Sequence, residues 1–236
     1  MPSLSVVVPV DAVPADFKAF LNRLLQSVAP LNGSEIIVVD ATTKTDISKI
    51  CRAYGVSVLR GNGPRYGLLK KAAAGASGDY LLFLDANTSL PAEFADVWRM
   101  IRRQGHVWGF FALRFRRSSW SLRWLARLIS LRSGFSGVAM AEQGLFVQRD
   151  IWKALDKDGV EGYVELCRRL QSFEPPCRMR QPIESDAQHW QQLSWKQWLR
   201  AGFSAQYELE AVTPAEGADK AEAPGAGRRK RTPELP

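Results

Sequence analysis

The sequence predicts an α/β protein with a mostly parallel central sheet and helices on both faces. Two observations carry this. Apolar stretches of strand length alternate with amphipathic stretches of helix length from Leu4 to about Arg103. Such alternation closes into a parallel sheet with right-handed crossovers. The strand candidates are also apolar at consecutive positions, as in 36–39 and 81–84, which suits strands covered on both faces. A third observation bears on chemistry. Asp40 and Asp85 stand where two of these runs stop, and ligands of open α/β sheets bind at the carboxyl ends of strands.

The elements follow in order. Residues 4–10 read as a first strand, broken by Pro9. A helix over 14–28 has Phe17, Phe20, Leu21, Leu24, Leu25 and Val28 on one face. The second strand is 35–40, and a helix over 45–54 is stopped by Gly55 in a left-handed turn. A third strand spans 56–59. The glycine-rich segment 61–67 leads into a helix over 68–76, and 81–84 is the fourth strand. After Pro91 a helix runs to about Arg103, and 107–115 is β-like. Over 119–131, Trp120, Trp124, Leu125, Leu128 and Ile129 recur at helical spacing, with Arg123 and Arg127 on another side. Residues 144–148 form a short strand, 160–170 a helix and 195–201 another. Residues 1–212 make one domain. The tail, 213–236, is Ala, Gly, Glu and Pro with a basic run over 228–231, too poor in large apolar residues to fold.

Composition narrows the class. At 236 residues and 46% hydrophobic, the chain can bury a sizeable core. No apolar run approaches the roughly 18 residues of a membrane span. The first residues read as a strand rather than a signal peptide. Cys51, Cys167 and Cys177 are an odd number without metal spacing, which fits reduced thiols in a cytoplasmic protein. With only His106 and His189 beside them, composition argues against zinc. The net charge is +8, and nine arginines lie between Arg99 and Arg132 with no Asp or Glu. Such a patch suits anionic lipid headgroups, nucleic acid or a phosphorylated substrate. It equally suits a solvated face whose indoles pack inward against guanidinium planes. The absence of an RNA- or DNA-binding motif argues against nucleic acid.

Residues 78–91 read GDYLLFLDANTSLP. Asp85 ends the apolar run, where a carboxylate can hold a divalent cation against a diphosphate. The alternative is a cap for the helix after Pro91. Around this stretch lie Val7-Val8-Pro9-Val10, then 35–40 followed by Thr42 and Asp46, then Leu90-Pro91, and Gln143-Gly144-Leu145-Phe146-Val147. In order and spacing these pieces resemble the family 2 glycosyltransferases, which have the GT-A fold, and among them a small bacterial subgroup. The resemblance runs from Leu4 to about Trp198. It implies a nucleotide-diphospho-sugar bound by Pro9, Val10, Asp40, Arg65 and Asp85. It also implies Mg²⁺ or Mn²⁺ at Asp85 and Asn87, and a carboxylate acting as general base, for which Glu142 and Glu161 are the candidates. The sugar would pass to an acceptor hydroxyl with inversion. A lipid-linked acceptor at the inner face of the membrane would suit the 119–132 helix if that helix lies in a lipid interface.

Several positions depart from the family pattern. Asn87 stands where the family places an aspartate, so a full charge near the metal is missing. Lys70 and Ala72 replace a polar amide and a glycine. The Glu-Asp pair of the second half is matched by Gly162 and Tyr163, with Glu161 one residue away and Asp158 upstream. Gln188-His189 stands where arginines are usual. A lost general base costs ~10²–10⁴ in rate. Two readings therefore remain open: a sugar transferase, weakened or inactive, and a catalytically silent GT-A domain kept as a binding or scaffold module. Single residues have plain alternatives too. Asp40 could cap a helix, Arg65 could be solvated, Glu142 could pair with an arginine, and Glu161 could be a surface helix residue.

Overall fold

A computed structural model describes residues 3–42, 46–61, 65–116, 118–156, 162–187 and 190. The expectations for Asp158, Glu161, His189, the 195–201 helix and the tail lie outside these residues.

The strands are β1 (Leu4–Val10), β2 (Glu35–Asp40), β3 (Ser57–Arg60), β4 (Tyr80–Phe83), β5 (Thr88–Ser89), β6 (Trp108–Phe115), β7 (Leu145–Gln148) and β8 (Cys177–Ser185). The helices are α1 (Phe17–Val28), α2 (Ser48–Ala53), α3 (Arg65–Gly75), α4 (Phe94–Gln104), α5 (Trp120–Ser136), α6 (Arg149–Asp156) and α7 (Tyr163–Leu170). One sheet joins all eight strands in the order β3-β2-β1-β4-β7-β6-β8-β5. The first four in that order are mutually parallel. β7 runs antiparallel to both β4 and β6, β8 is parallel to β6, and β5 is antiparallel to β8. The N-terminal half is thus the expected crossover sheet, and the C-terminal half is mixed.

The consecutive apolar positions are explained by the two faces. In β1, Val6 and Val8 join one buried cluster, with Phe20 of α1 and Trp98 of α4, whereas Val7 joins the other, with Leu69 of α3 and Trp152 of α6. In β4, Leu82 and Leu81 divide the same way. Trp98 packs edge-on against Tyr80 at 5.3 Å and Phe146 at 6.0 Å between ring centres.

Pro9 does not break β1; it pairs with Val39 inside the strand. Val7 accepts from Leu84 and Val10 accepts from Ala41, so alternate residues of β1 face β4 and β2. Pro9 faces the β4 side, where β4 has already ended, and no N–H is needed there. α3 starts at Arg65, so Gly67 is helical rather than part of a loop. α2 starts only at Ser48. The sequence reading also lacked α6, β5 and β8. β8 contains Pro182 and three charged residues, Arg178, Arg180 and Glu184, with Asp186 just past its end, and its register with β6 shifts between Phe111 and Ala112.

The apolar stripe expected on 119–131 divides in two. Leu125 and Ile129 are buried with Leu122, Ala126, Leu113 and Phe115. Trp120 and Trp124 are 76% and 51% exposed and point away from that cluster. The helix itself continues to Ser136, and Gly137 closes it at φ 68°.

At the N-terminal edge of the sheet, Glu35 gathers three adjacent segments. It accepts from Ser5 Oγ at 2.6 Å and from Ser77 N and Oγ at 2.7 Å. Burial pushes its carboxyl up, but these bonds, with the Gly78 N–H, outweigh it, so Glu35 titrates below the usual range. The folded state therefore holds this proton less tightly than the unfolded chain. The stabilisation is full above the unfolded value, about 4.3, and fades as pH falls through the folded one. Glu35→Ala should cost about 1–3 kcal/mol by stranding the Ser5 and Ser77 donors. Thermal unfolding should show the variant and the parent converging as the solution is acidified.

Candidate functional site

Because β1 to β4 are parallel, their carboxyl ends share one edge. Val10, Asp40 and Arg60 are side by side there in register, and Asp85 follows the end of β4. Pro9 and Val10 sit at this edge as expected.

Asp40 is 4% exposed. Its Oδ1 accepts from Thr42 N at 3.0 Å and Thr42 Oγ1 at 2.6 Å, closing a turn just after β2. It does not cap α2: at that helix start, Ser48 N donates to Asp46 Oδ1 at 3.0 Å. The Ser48 hydroxyl and N–H, with Arg60 beyond, hold Asp46 below the usual carboxylate range. Arg60 spans both acids, with Nη2 at 2.9 Å from Asp46 and Nε at 3.7 Å from Asp40. Sequence reasoning did not single out Arg60. Its only signal was a basic residue at the end of a strand that pairs with the Asp40 strand.

Asp85 folds back on its own loop. Its Oδ1 accepts from Asn87 N at 3.0 Å, and its carbonyl accepts from Thr88 N at 3.0 Å and Thr88 Oγ1 at 2.6 Å. α4 begins at Phe94, whose N–H is bonded by the Pro91 carbonyl, so this geometry departs from the capping alternative. β8 pins the turn from outside. Thr88 pairs with Ser185, and Asp186 N donates to the Asn87 carbonyl at 3.1 Å. Asp186 is therefore an acidic residue at this turn that the sequence did not reveal, because its place depends on β8.

Glu142 lies in a 3₁₀ turn, Ala141–Gln143, just before β7. β7 is antiparallel to β4 with Leu145 opposite Phe83, so the turn reaches the Asp85 edge. Gln143, fully buried, fixes it. Its Oε1 accepts from Ser133 Oγ at 2.6 Å and Met140 N at 3.0 Å, and its Nε2 donates to the Phe111 carbonyl at 3.1 Å. Each of its bonds goes to a different element, and a satisfied buried amide of this kind specifies one loop position. Gly144 completes the turn at φ 58°, where an added Cβ would stand 2.5 Å from Ile183.

Arg65 starts α3 at the same end of the fold, but its side chain is outside the described part. α7 begins at Tyr163, and its Glu165 is paired with Arg169 at 2.7 Å. The described residues hold no cluster of three or more His, Cys, Asp or Glu side chains suited to a metal ion. Asp85 with the amide oxygen of Asn87 is a sparse set. It fits a Mg²⁺-like ion that takes one or two protein ligands and completes its shell from substrate phosphates and water; it does not fit a preformed cage.

The sequence pattern of glycosyl transferase family 2 matches residues 5–154, more than half of the chain. The chain belongs to this family. The match takes in Pro9, Val10, Asp40, Arg65, Asp85, Asn87 and Glu142, and stops short of Glu161. Among solved structures, the mannosyltransferase PcManGT from Pyrobaculum calidifontis, in complex with GDP-Man and Mn²⁺, is similar with a TM-score of 0.60 at 15% identity. That alignment covers 85% of this chain and 60% of the mannosyltransferase, so the chain spans less than two thirds of its length. Glucosyl-3-phosphoglycerate synthase from Mycobacterium tuberculosis, with Mn²⁺ and UDP-glucose, is similar with a TM-score of 0.55 at 15% identity, over 91% of this chain and 81% of that one. S. aureus TarS gives 0.56 at 16%, over 78% and 36%. At such identities the likeness establishes the fold, and the fold is GT-A. No curated protein matches the chain.

Proposed function

We propose that this family 2 chain transfers a sugar from a nucleotide-diphospho-sugar to an acceptor hydroxyl with inversion, at a reduced rate. The observation that carries the reading is the placement of Asp40, Asp85 and Glu142 at one strand edge within the family match. Asp40, with Thr42 and Arg60 beside it, would contact the nucleoside, and Arg65 would join from the start of α3. Asp85 and Asn87 would hold Mg²⁺ or Mn²⁺, whose charge offsets that of the diphosphate. Glu142 would accept the acceptor hydroxyl proton as the oxygen bonds the anomeric carbon and the bond to diphosphate breaks. One in-line displacement inverts that carbon. Glu161 remains the other candidate base.

The cytoplasm is the proposed setting. Cys51, Cys167 and Cys177 are in no disulfide among the described residues, and burial, with the Asp40 carboxylate adding, pushes the Cys51 thiol up to about 11, so it stays protonated. No helix among the described residues is long and apolar enough to cross a membrane.

The test is calorimetric titration with UDP and GDP, with and without Mn²⁺, followed by assay of sugar-donor hydrolysis. Because the protein offers so few metal ligands, Mn²⁺ should bind weakly alone and tightly with the nucleotide. Failure of both nucleotides to bind at millimolar concentration removes the site. A second reading, the silent binding module, is favoured by Asn87 in place of a carboxylate. It prevails if nucleotide binds but no turnover occurs and Glu142→Gln changes nothing.

A further inference from the structure

α5 is apolar on two opposite sides. Its inner side, with Leu122, Leu125, Ala126 and Ile129, packs on Leu113 and Phe115 of β6. Its outer side carries Trp120, Trp124, Leu131 and Phe135, exposed by 76%, 51%, 59% and 83%. At about 100° per residue these four fall within roughly 60° of arc. They form a ridge of about 22 Å along the helix at ~1.5 Å per residue. The described residues hold six exposed large hydrophobics, and four of them are on this ridge. Core packing does not account for it. An exposed apolar strip this concentrated marks an interaction surface.

Charge indicates what covers it. Arg123 and Arg127 are exposed and flank the ridge, α5 contains no acidic residue, and none occurs between Val97 and Ala141. Self-association through the ridge would be isologous and would set these arginines against their own copies. An anionic bilayer meets both features. Indoles and a phenyl ring enter the headgroup boundary, and guanidinium groups bond lipid phosphates. A single convex helix also suits a plane better than it suits a pocket.

We propose that α5 seats the protein on an anionic lipid surface through Trp120, Trp124, Leu131 and Phe135, with Arg123 and Arg127 on lipid phosphates. The position is relevant to the site, because Ser133 of α5 donates to Gln143, the neighbour of Glu142. Membrane seating would bring a lipid-linked acceptor alongside that turn.

The experiment is flotation of the full chain with vesicles of phosphatidylcholine alone and of phosphatidylcholine with phosphatidylglycerol, at low and high salt. The protein should float with the anionic vesicles and be released by salt. Leu131→Ser with Phe135→Ser should weaken partitioning about tenfold or more, with unchanged thermal unfolding and nucleotide binding, since both side chains are exposed. Arg123→Gln with Arg127→Gln should remove most of the preference for the anionic vesicles. The proposal is overturned by no flotation at low salt, by equal flotation of parent and ridge variant (which would assign binding to the basic tail), or by a dimer in light scattering that the ridge variant abolishes without any lipid binding. Salt-sensitive retention of RNA or DNA that the ridge variant abolishes would likewise overturn it. Nucleotide binding is read separately, so the proposed catalytic function and the lipid seat fail independently.

Discussion

Replacing Asp85 by Ala should lower sugar-donor turnover by about 10²–10³-fold, the usual cost of removing one fixed electrostatic partner of a charge that develops in the reaction. Asp85 is the one carboxylate between the end of β4 and β5, and its turn is held by Thr88 and by Asp186 of the segment after β8. The loop should survive the change, because its hydrogen bonds to Thr88 use the Asp85 backbone carbonyl rather than the side chain. The fold should therefore be retained while Mn²⁺ no longer tightens nucleotide binding. The converse substitution, Asn87→Asp, adds a full charge beside Asp85 and should strengthen the metal dependence. Steady-state hydrolysis of UDP- and GDP-sugars across a Mn²⁺ titration measures both. Equal turnover by the parent and Asp85→Ala would remove Asp85 from the chemistry.

Gly109→Ala should be the most damaging glycine-to-alanine change among the described residues. Gly109 is in β6, opposite Cys177 of β8. An added Cβ would stand 2.1 Å from the Cys177 carbonyl oxygen, 2.9 Å from its carbon and 2.6 Å from the Phe146 ring. The first two are backbone atoms of a paired strand, and the ring is held by Trp98 and Phe111. Relief requires β8 to move, so the cost should be about 3 kcal/mol or more, at or above the usual limit for overpacking. The chain just past β8 pins Asn87, so nucleotide binding should weaken as well. Gly75→Ala is the matched control. It adds the same methyl at the end of α3, where nothing lies within 4 Å, and should be neutral or stabilising by up to about 1 kcal/mol. Denaturant unfolding of the two variants checks the contrast.

The parallel half of the sheet was legible in the sequence because its signals are local. Runs such as 36–39 are apolar at every position since α1, α3, α4 and α6 cover both faces. Gly55 ends its segment at φ 67°, as a left-handed turn demands. The strand-end carboxylates Asp40 and Asp85 could be found for the same reason: a strand that stops at an acid in this topology puts that acid at the ligand edge. Pro9 was misread, because a missing N–H is harmless only if the neighbouring strand has already stopped, which local sequence does not record.

The sequence by itself determined the family, the crossover sheet and which carboxylates stand at the ends of its strands, because hydrophobic periodicity and motif order are properties of neighbours along the chain. Only the tertiary structure decided what depends on distant partners. β8 is charged, contains a proline and exists as a strand because β6 is there to pair with it. Through β8, Asp186 comes to the Asp85 turn; through β2–β3 pairing, Arg60 comes to Asp40. Gln143 belongs to a piece of the family pattern, but what it does is visible only once Ser133, Met140 and Phe111 close around it. α5 is the clearest case. Its sequence has one helical period of large apolar residues, but β6 covers only one side. Helical spacing says which residues share a face; it cannot say which face another element has claimed.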